Sequence, residues 1–274
     1  FVLLAALISI GLPRHGGTEP RLAQLCASAL RLGGADFGFV IGSRLMNLFL
    51  YLLTVLIWGT TWIAIKLQLG EVALAASIAY RFALAALVLF AVLLLSGGLQ
   101  RLDRRTQGLC LAQGLCLFSL NFLCFYTASQ WIPSGLVAVV FSTATLWNAL
   151  NARLFLRQRI AANVLAGGAL GLGGLGLLFW PELAGHEASR ETLLGLGLSL
   201  LGTLCFSAGN LLSSLQQKAG YRPLSTNAWS MAYGAILLIG YCLLSGTPLE
   251  IDWSSRYIGS LLYLAIPGSV IGFT

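Results

Sequence analysis

Residues 72–95 read VALAASIAYRFALAALVLFAVLLL, an almost uninterrupted apolar run whose single charge is Arg81. About 20 such residues, rising about 1.5 Å each as a helix, cross the hydrocarbon core of a bilayer. A helix of a soluble domain would carry a polar face, and this run has none. Working outward, apolar segments of similar length recur between Gly, Pro and charged punctuation. The expected spans are Asn47–Lys66, Val72–Leu95, Gly108–Ser129, Ser134–Asn151, Asn163–Trp180, Thr192–Gln216, Ser225–Ser245 and Tyr257–Thr274. They give seven complete spans and part of an eighth, the pattern of an all-α membrane protein built as a polytopic helical bundle.

Composition agrees. Of 274 residues 58% are hydrophobic and 9% charged, against about 25% charged in a soluble domain, and mean hydropathy is +0.86. The net charge of +7 does not call for nucleic acid, because the basic residues fall in short clusters between spans rather than along one face. The expected partners are a lipid bilayer and a small-molecule solute, with no nucleic acid. The oligomeric state is left open, a homodimer being one option.

The clusters orient the chain, since basic residues stay on the cytoplasmic side during insertion. Arg101, Arg104 and Arg105, then Arg153, Arg157 and Arg159, then Lys218 and Arg222 occupy alternate connections. The opposite side holds Arg190 and Arg256 among Glu182, Glu187, Glu191, Glu250 and Asp252. A cytoplasmic N-terminus in an inner (cell) membrane follows. Residues 1–45, a short apolar run leading into a Gly-, Arg- and Pro-rich stretch, read as an N-terminal extension upstream of a more natural start at Met46. Five spans after Met46 bring the chain to the other side, so a second set of five would lie inverted relative to the first.

Enzymatic chemistry finds no footing. His15 and His186 lie outside the spans without metal-ligand spacing, and neither an HExxH nor a nucleophile-elbow motif occurs. The cysteines, without a CxxC pair, read as small buried hydrophobes. Gly171-x-Gly173-x-x-Gly176 spells a dinucleotide-binding pattern but sits inside an apolar span with no preceding strand; with Gly167 it reads as a helix-packing surface. No catalytic residue, metal or cofactor is expected.

Three stretches, Trp58-Gly59-Thr60-Thr61-Trp62-Ile63-Ala64-Ile65-Lys66, Tyr80-Arg81-Phe82, and Asn121 to Ala128 followed by Ser134-Gly135-Leu136, together resemble the EamA-like branch of the drug/metabolite transporter superfamily. The resemblance covers Met46 to Thr274. It implies ten helices in two inverted five-helix repeats, a midplane solute cavity and export of small organic metabolites by alternating access. On that pattern residues 46–181 form the first repeat and residues 192–274 a second repeat that is incomplete, stopping inside helix eight with about eight of the ten helices present. The sequence departs from the family at Arg157-Gln158-Arg159, where a Gly-Glu pair is usual, and around Thr145-Leu146, where a Pro is expected.

A charge inside hydrocarbon costs upward of about 2.5 kcal/mol, so an intramembrane ionic residue is a functional candidate by default. Arg81 is the deep one: it faces a cavity and holds a carboxylate or phosphate, or it is a structural cation satisfied by helix-end carbonyls. Trp58 and Lys66 are cavity candidates or interface anchors. Tyr80 adjoins Arg81. Asn121 and Tyr126, Asn148 in a stripe with Thr145 and Asn151, and Asn210 in a stripe with Ser207, Ser214 and Gln217 either line a wet cavity or bond neighbouring helices. All nine acidic residues fall outside the span cores, so a buried carboxylate relay for protons is absent from Met46 to Thr274, and coupling is expected either from helices nine and ten of the family pattern or as exchange or facilitated efflux. The expected function is a secondary transporter, an exporter of small polar organic metabolites such as amino acids; the alternative is a non-transporting membrane scaffold or receptor subunit.

Overall fold

The computed structural model describes residues 35–70, 72–184 and 190–273. The chain divides into two units, Phe1–Trp58 and Gly59–Thr274, and α1 (Ala35–Gln68) is shared between them. Most of the predicted N-terminal extension lies outside the described residues, but the helix begins upstream of Met46, at Ala35. In the first unit Thr54 returns its hydroxyl to Leu50 O at 2.8 Å, the usual fate of a hydroxyl in an apolar helix.

The second unit continues with α2 (Leu74–Leu95), α3 (Arg104–Leu115), a π-helical segment (Cys116–Leu120), α4 (Asn121–Trp131), α5 (Ser134–Phe141), α6 (Ala144–Leu156), α7 (Ala162–Ala184), α8 (Arg190–Lys218), α9 (Pro223–Ser245), α10 (Ser255–Ala265) and a second π segment (Ile266–Ile271). The third expected span is thus α3, π segment and α4 in series, and the fourth is α5 and α6. Six stretches among the described residues are long and apolar enough to cross a membrane: Leu48–Gln68, Leu74–Leu95, Arg104–Trp131, Ser134–Leu156, Arg190–Lys218 and Pro223–Ser245. Large side chains such as Leu95 and Leu244 are 90% and 93% exposed, as suits surfaces that meet lipid rather than water.

Local chemistry sets the boundaries. Asp103 caps α3 by accepting the Thr106 N–H, and Ser254 caps α10 by accepting that of Tyr257. Pro223 opens α9, where its missing N–H has no role. Arg157 closes α6 at φ 54°, a left-handed position that glycine fills without strain. The two π segments share a device: Ser119 Oγ donates to Gly114 O at 3.1 Å and Ser269 Oγ to Leu264 O at 2.8 Å, each five residues back. In both, a hydroxyl satisfies a carbonyl where the helix widens.

α9 packs on α2 and α3; α8 packs on α4, α5 and α6; α10 and the second π segment pack on α2. Close approach of α8 depends on Gly195, Gly202 and Gly209, seven residues apart, where an added Cβ would fall 2.9 Å from Ile132, 2.9 Å from Phe125 and 2.5 Å from Leu117. Trp62, Phe125, Phe141 and Phe206 fill the adjoining core edge-to-face, with centroids 4.8 to 5.5 Å apart.

Candidate functional site

Arg81 stands seven residues into α2, about 10 Å along the helix, and its side chain is 0% exposed. Three neighbours hold it. Its Nε donates to Ser269 Oγ at 2.9 Å, and Ser269 passes its own proton to Leu264 O. Its guanidinium lies 4.4 Å from the Phe122 ring centroid and 5.2 Å from that of Phe82, a cation–π arrangement. The Tyr126 hydroxyl sits beside it and donates to Gln68 Oε1 at 2.7 Å. No carboxylate among the described residues faces the cation, and its Nη1 has no hydrogen-bond partner.

Polar groups from α1, α2, α10 and the second π segment gather round it. Ser77 and Tyr257 share a hydrogen bond of 2.9 Å, and Thr60 bonds the Tyr263 hydroxyl. At Gly268 an added Cβ would lie 3.4 Å from Thr61 Oγ1 and 3.5 Å from Arg81 Nη2, which places both beside this glycine. The buried cation thus has aromatic faces and hydroxyls as its neighbours, chemistry that suits an anionic group beside an apolar one.

The predicted residues divide. Arg81 and Tyr126 come together. Lys66 is exposed, but its Nζ donates to Ser129 O at 2.7 Å, tying the end of α1 to α4. Tyr80, half-buried, lies between Cys242 of α9 and Tyr257 of α10. Asn148 and Asn210 bond each other at 3.4 Å and Asn151 donates to Ser207 at 2.7 Å, so the two polar stripes meet along α6 and α8. Asn121 is 1% exposed with neither amide atom partnered, and its backbone abuts Gly202 of α8. Trp58, half-buried, ends the first unit.

Sequence reasoning missed Gln68, Ser77, Ser269, Tyr257 and Tyr263. Gln68 lies two residues beyond the expected end of the first span at Lys66, and Ser269 sits two residues after Pro267 in the last apolar segment. The available signal was the lone Arg81, which in hydrocarbon demands polar company from every adjacent helix.

Residues 45–180 match the EamA-like transporter family. That stretch belongs to the family. Relatives across the chain agree: an uncharacterized transporter, YoaV, of Bacillus subtilis (24% identity, 80% of this chain, 73% of the relative), an uncharacterized transporter of Archaeoglobus fulgidus (26%, 81% and 75%), and a probable amino-acid metabolite efflux pump of Escherichia coli K12 (24%, 82% and 74%). A crystal structure of another protein, 18% identical, superposes with a TM-score of 0.61 over 82% of this chain and 75% of that one, and shares the fold. The chain is a multi-pass membrane protein, and Arg81, Phe122 and Tyr126 all lie within the stretch that matches the EamA-like transporter family.

Proposed function

We propose that this EamA-type chain exports small polar organic solutes carrying an anionic group, amino acids and related metabolites among them, with Arg81 as the anion contact. One observation carries the reading: a fully buried arginine with an unpartnered nitrogen and no opposing carboxylate among the described residues. A buried cation with no acid opposite it and one nitrogen left over leaves a place for an anionic cargo. The names of the E. coli and Salmonella typhimurium relatives, probable amino-acid metabolite efflux pumps, support the same class.

Alternating access follows from an inverted repeat, residues 46–181 against 192–274, with the N-terminus cytoplasmic in the cell membrane. Two correspondences support it. The third and eighth expected spans, which begin with α3 and α10, each carry a π segment whose serine bonds five residues back, and α3 packs on α9 as α10 packs on α2. With no carboxylate buried among the described residues of the spans, coupling rests either on helices nine and ten of the ten-helix pattern or on exchange or facilitated efflux. The test is solute-dependent efflux from cells expressing the full-length protein, screened with labelled amino acids; a scaffold or receptor subunit would move none of them.

A further inference from the structure

Arg81, Tyr126 and Gln68 form a chain whose hydrogen atoms can be placed. All three are at most 2% exposed. A guanidinium only donates, so the Tyr126 oxygen beside it is an acceptor toward Arg81 and sends its own proton to Gln68 Oε1, 2.7 Å away. That fixes the amide: Oε1 faces Tyr126, and Nε2 turns its two N–H groups elsewhere. Neither Gln68 Nε2 nor Arg81 Nη1 has an acceptor. Two buried donors, one of them cationic, thus flank a single hydroxyl. Donors buried without acceptors are costly, and a solute with oxygen lone pairs and one negative charge would satisfy both.

We infer that Gln68 is a specificity-determining contact: its Nε2 and Arg81 Nη1 together hold the carboxylate of the solute, and Tyr126 sets the orientation of the amide. The inference rests on the transport reading above and narrows its anionic group to a carboxylate. A carboxylate presents acceptors only. A carboxamide places an NH2 against a site built of donors and carries no charge, so the same solute as its amide is rejected. Discrimination against a group that leaves buried donors unpaired is strong.

The experiment uses the full chain purified into lipid nanodiscs. Binding of each of the twenty proteinogenic L-amino acids, and of the carboxamide of each, is measured by equilibrium dialysis, with potassium chloride as the simple-anion control. At least one acid is expected to bind, with its amide about a hundredfold weaker, and chloride not to compete at equal concentration. Gln68→Glu, which puts a carboxylate where the solute's would lie, is expected to weaken that acid about tenfold to a hundredfold. Tyr126→Phe, which frees the amide to turn, should weaken it about tenfold and narrow the gap between acid and amide. Thermal unfolding of each variant checks that it folds. Equal binding of acid and amide, displacement by chloride, or no binding of any acid overturns the inference. Undiminished acid binding by a folded Gln68→Glu overturns the role of Gln68 alone. Failure of the transport reading looks different: acids bind with this pattern, yet none crosses the membrane of proteoliposomes.

Discussion

Replacing Gly114 with alanine places a Cβ 2.5 Å from the Ser230 carbonyl oxygen, 3.0 Å from the Gly234 nitrogen and 3.2 Å from Tyr233 Cβ. Two of these are backbone atoms and cannot swing aside, so α3 and α9 must part by about 0.9 Å to restore ordinary contact. Overpacking of this kind costs about 3 kcal/mol, the upper end of its range. The same separation stretches Ser119 Oγ to Gly234 O (3.1 Å), Gln113 to Asn227 (3.0 Å) and Ser230 to Gln113 (3.2 Å), each worth about 0.6 kcal/mol in a membrane protein. Alanine's helix propensity returns about 1 kcal/mol. The net expectation is destabilisation by about 2 to 4 kcal/mol, read as an earlier midpoint when the purified protein is unfolded by titrating SDS into mixed micelles. Gly197→Ala is the matched control: nothing lies within 4 Å of its Cβ, and it should leave the midpoint unchanged or raise it. Equal midpoints for the two variants would refute the packing of α3 on α9 described above.

Arg157→Gly should raise stability by about 1 kcal/mol in the same assay, because the left-handed φ of 54° strains every side chain but costs glycine little. Asn151→Leu and Ser207→Ala should each lower it by about 1 kcal/mol, while the double variant costs less than the sum, since the 2.7 Å bond between them is lost only once. The hydrogen bonds from Thr106 hold the Asp103 carboxyl below the usual carboxylate range. Its stabilising cap is therefore present above about pH 4 and fades as pH falls through the lowered value. Thermal unfolding followed from pH 6 to pH 3 should show that Asp103→Ala flattens the acid limb.

The membrane fold was legible because its cause is composition: helices such as α2 are apolar all round, and the basic loops mark their ends. Boundaries moved where caps outrank hydropathy, as when Asp103 starts α3 at Arg104 rather than Gly108. The π segments were not legible, because a widened turn depends on a partner such as Gly234 or Arg81 that sequence spacing does not reveal. Arg81 was legible for a physical reason, its cost in hydrocarbon. Its companions were not: Tyr257 and Ser269 arrive through the packing of α10 and the second π segment on α2, and Gln68, at the end of α1, through its bond to Tyr126. The polar stripes of α6 and α8 were visible by their spacing, yet periodicity alone could not say that Asn148 and Asn210 meet each other.

Solute counterflow in proteoliposomes tests the role of Arg81 most directly, with the wild-type chain, Arg81→Lys and Arg81→Ala reconstituted at equal density and shown to be folded. Loss of a charge-assisted contact is worth about tenfold to a hundredfold, so Arg81→Ala should lose at least that much counterflow of a carboxylate solute, with Arg81→Lys retaining part of it because it keeps the charge without the fork. Counterflow by Arg81→Ala at the wild-type rate would contradict the assignment of Arg81 as the anion contact.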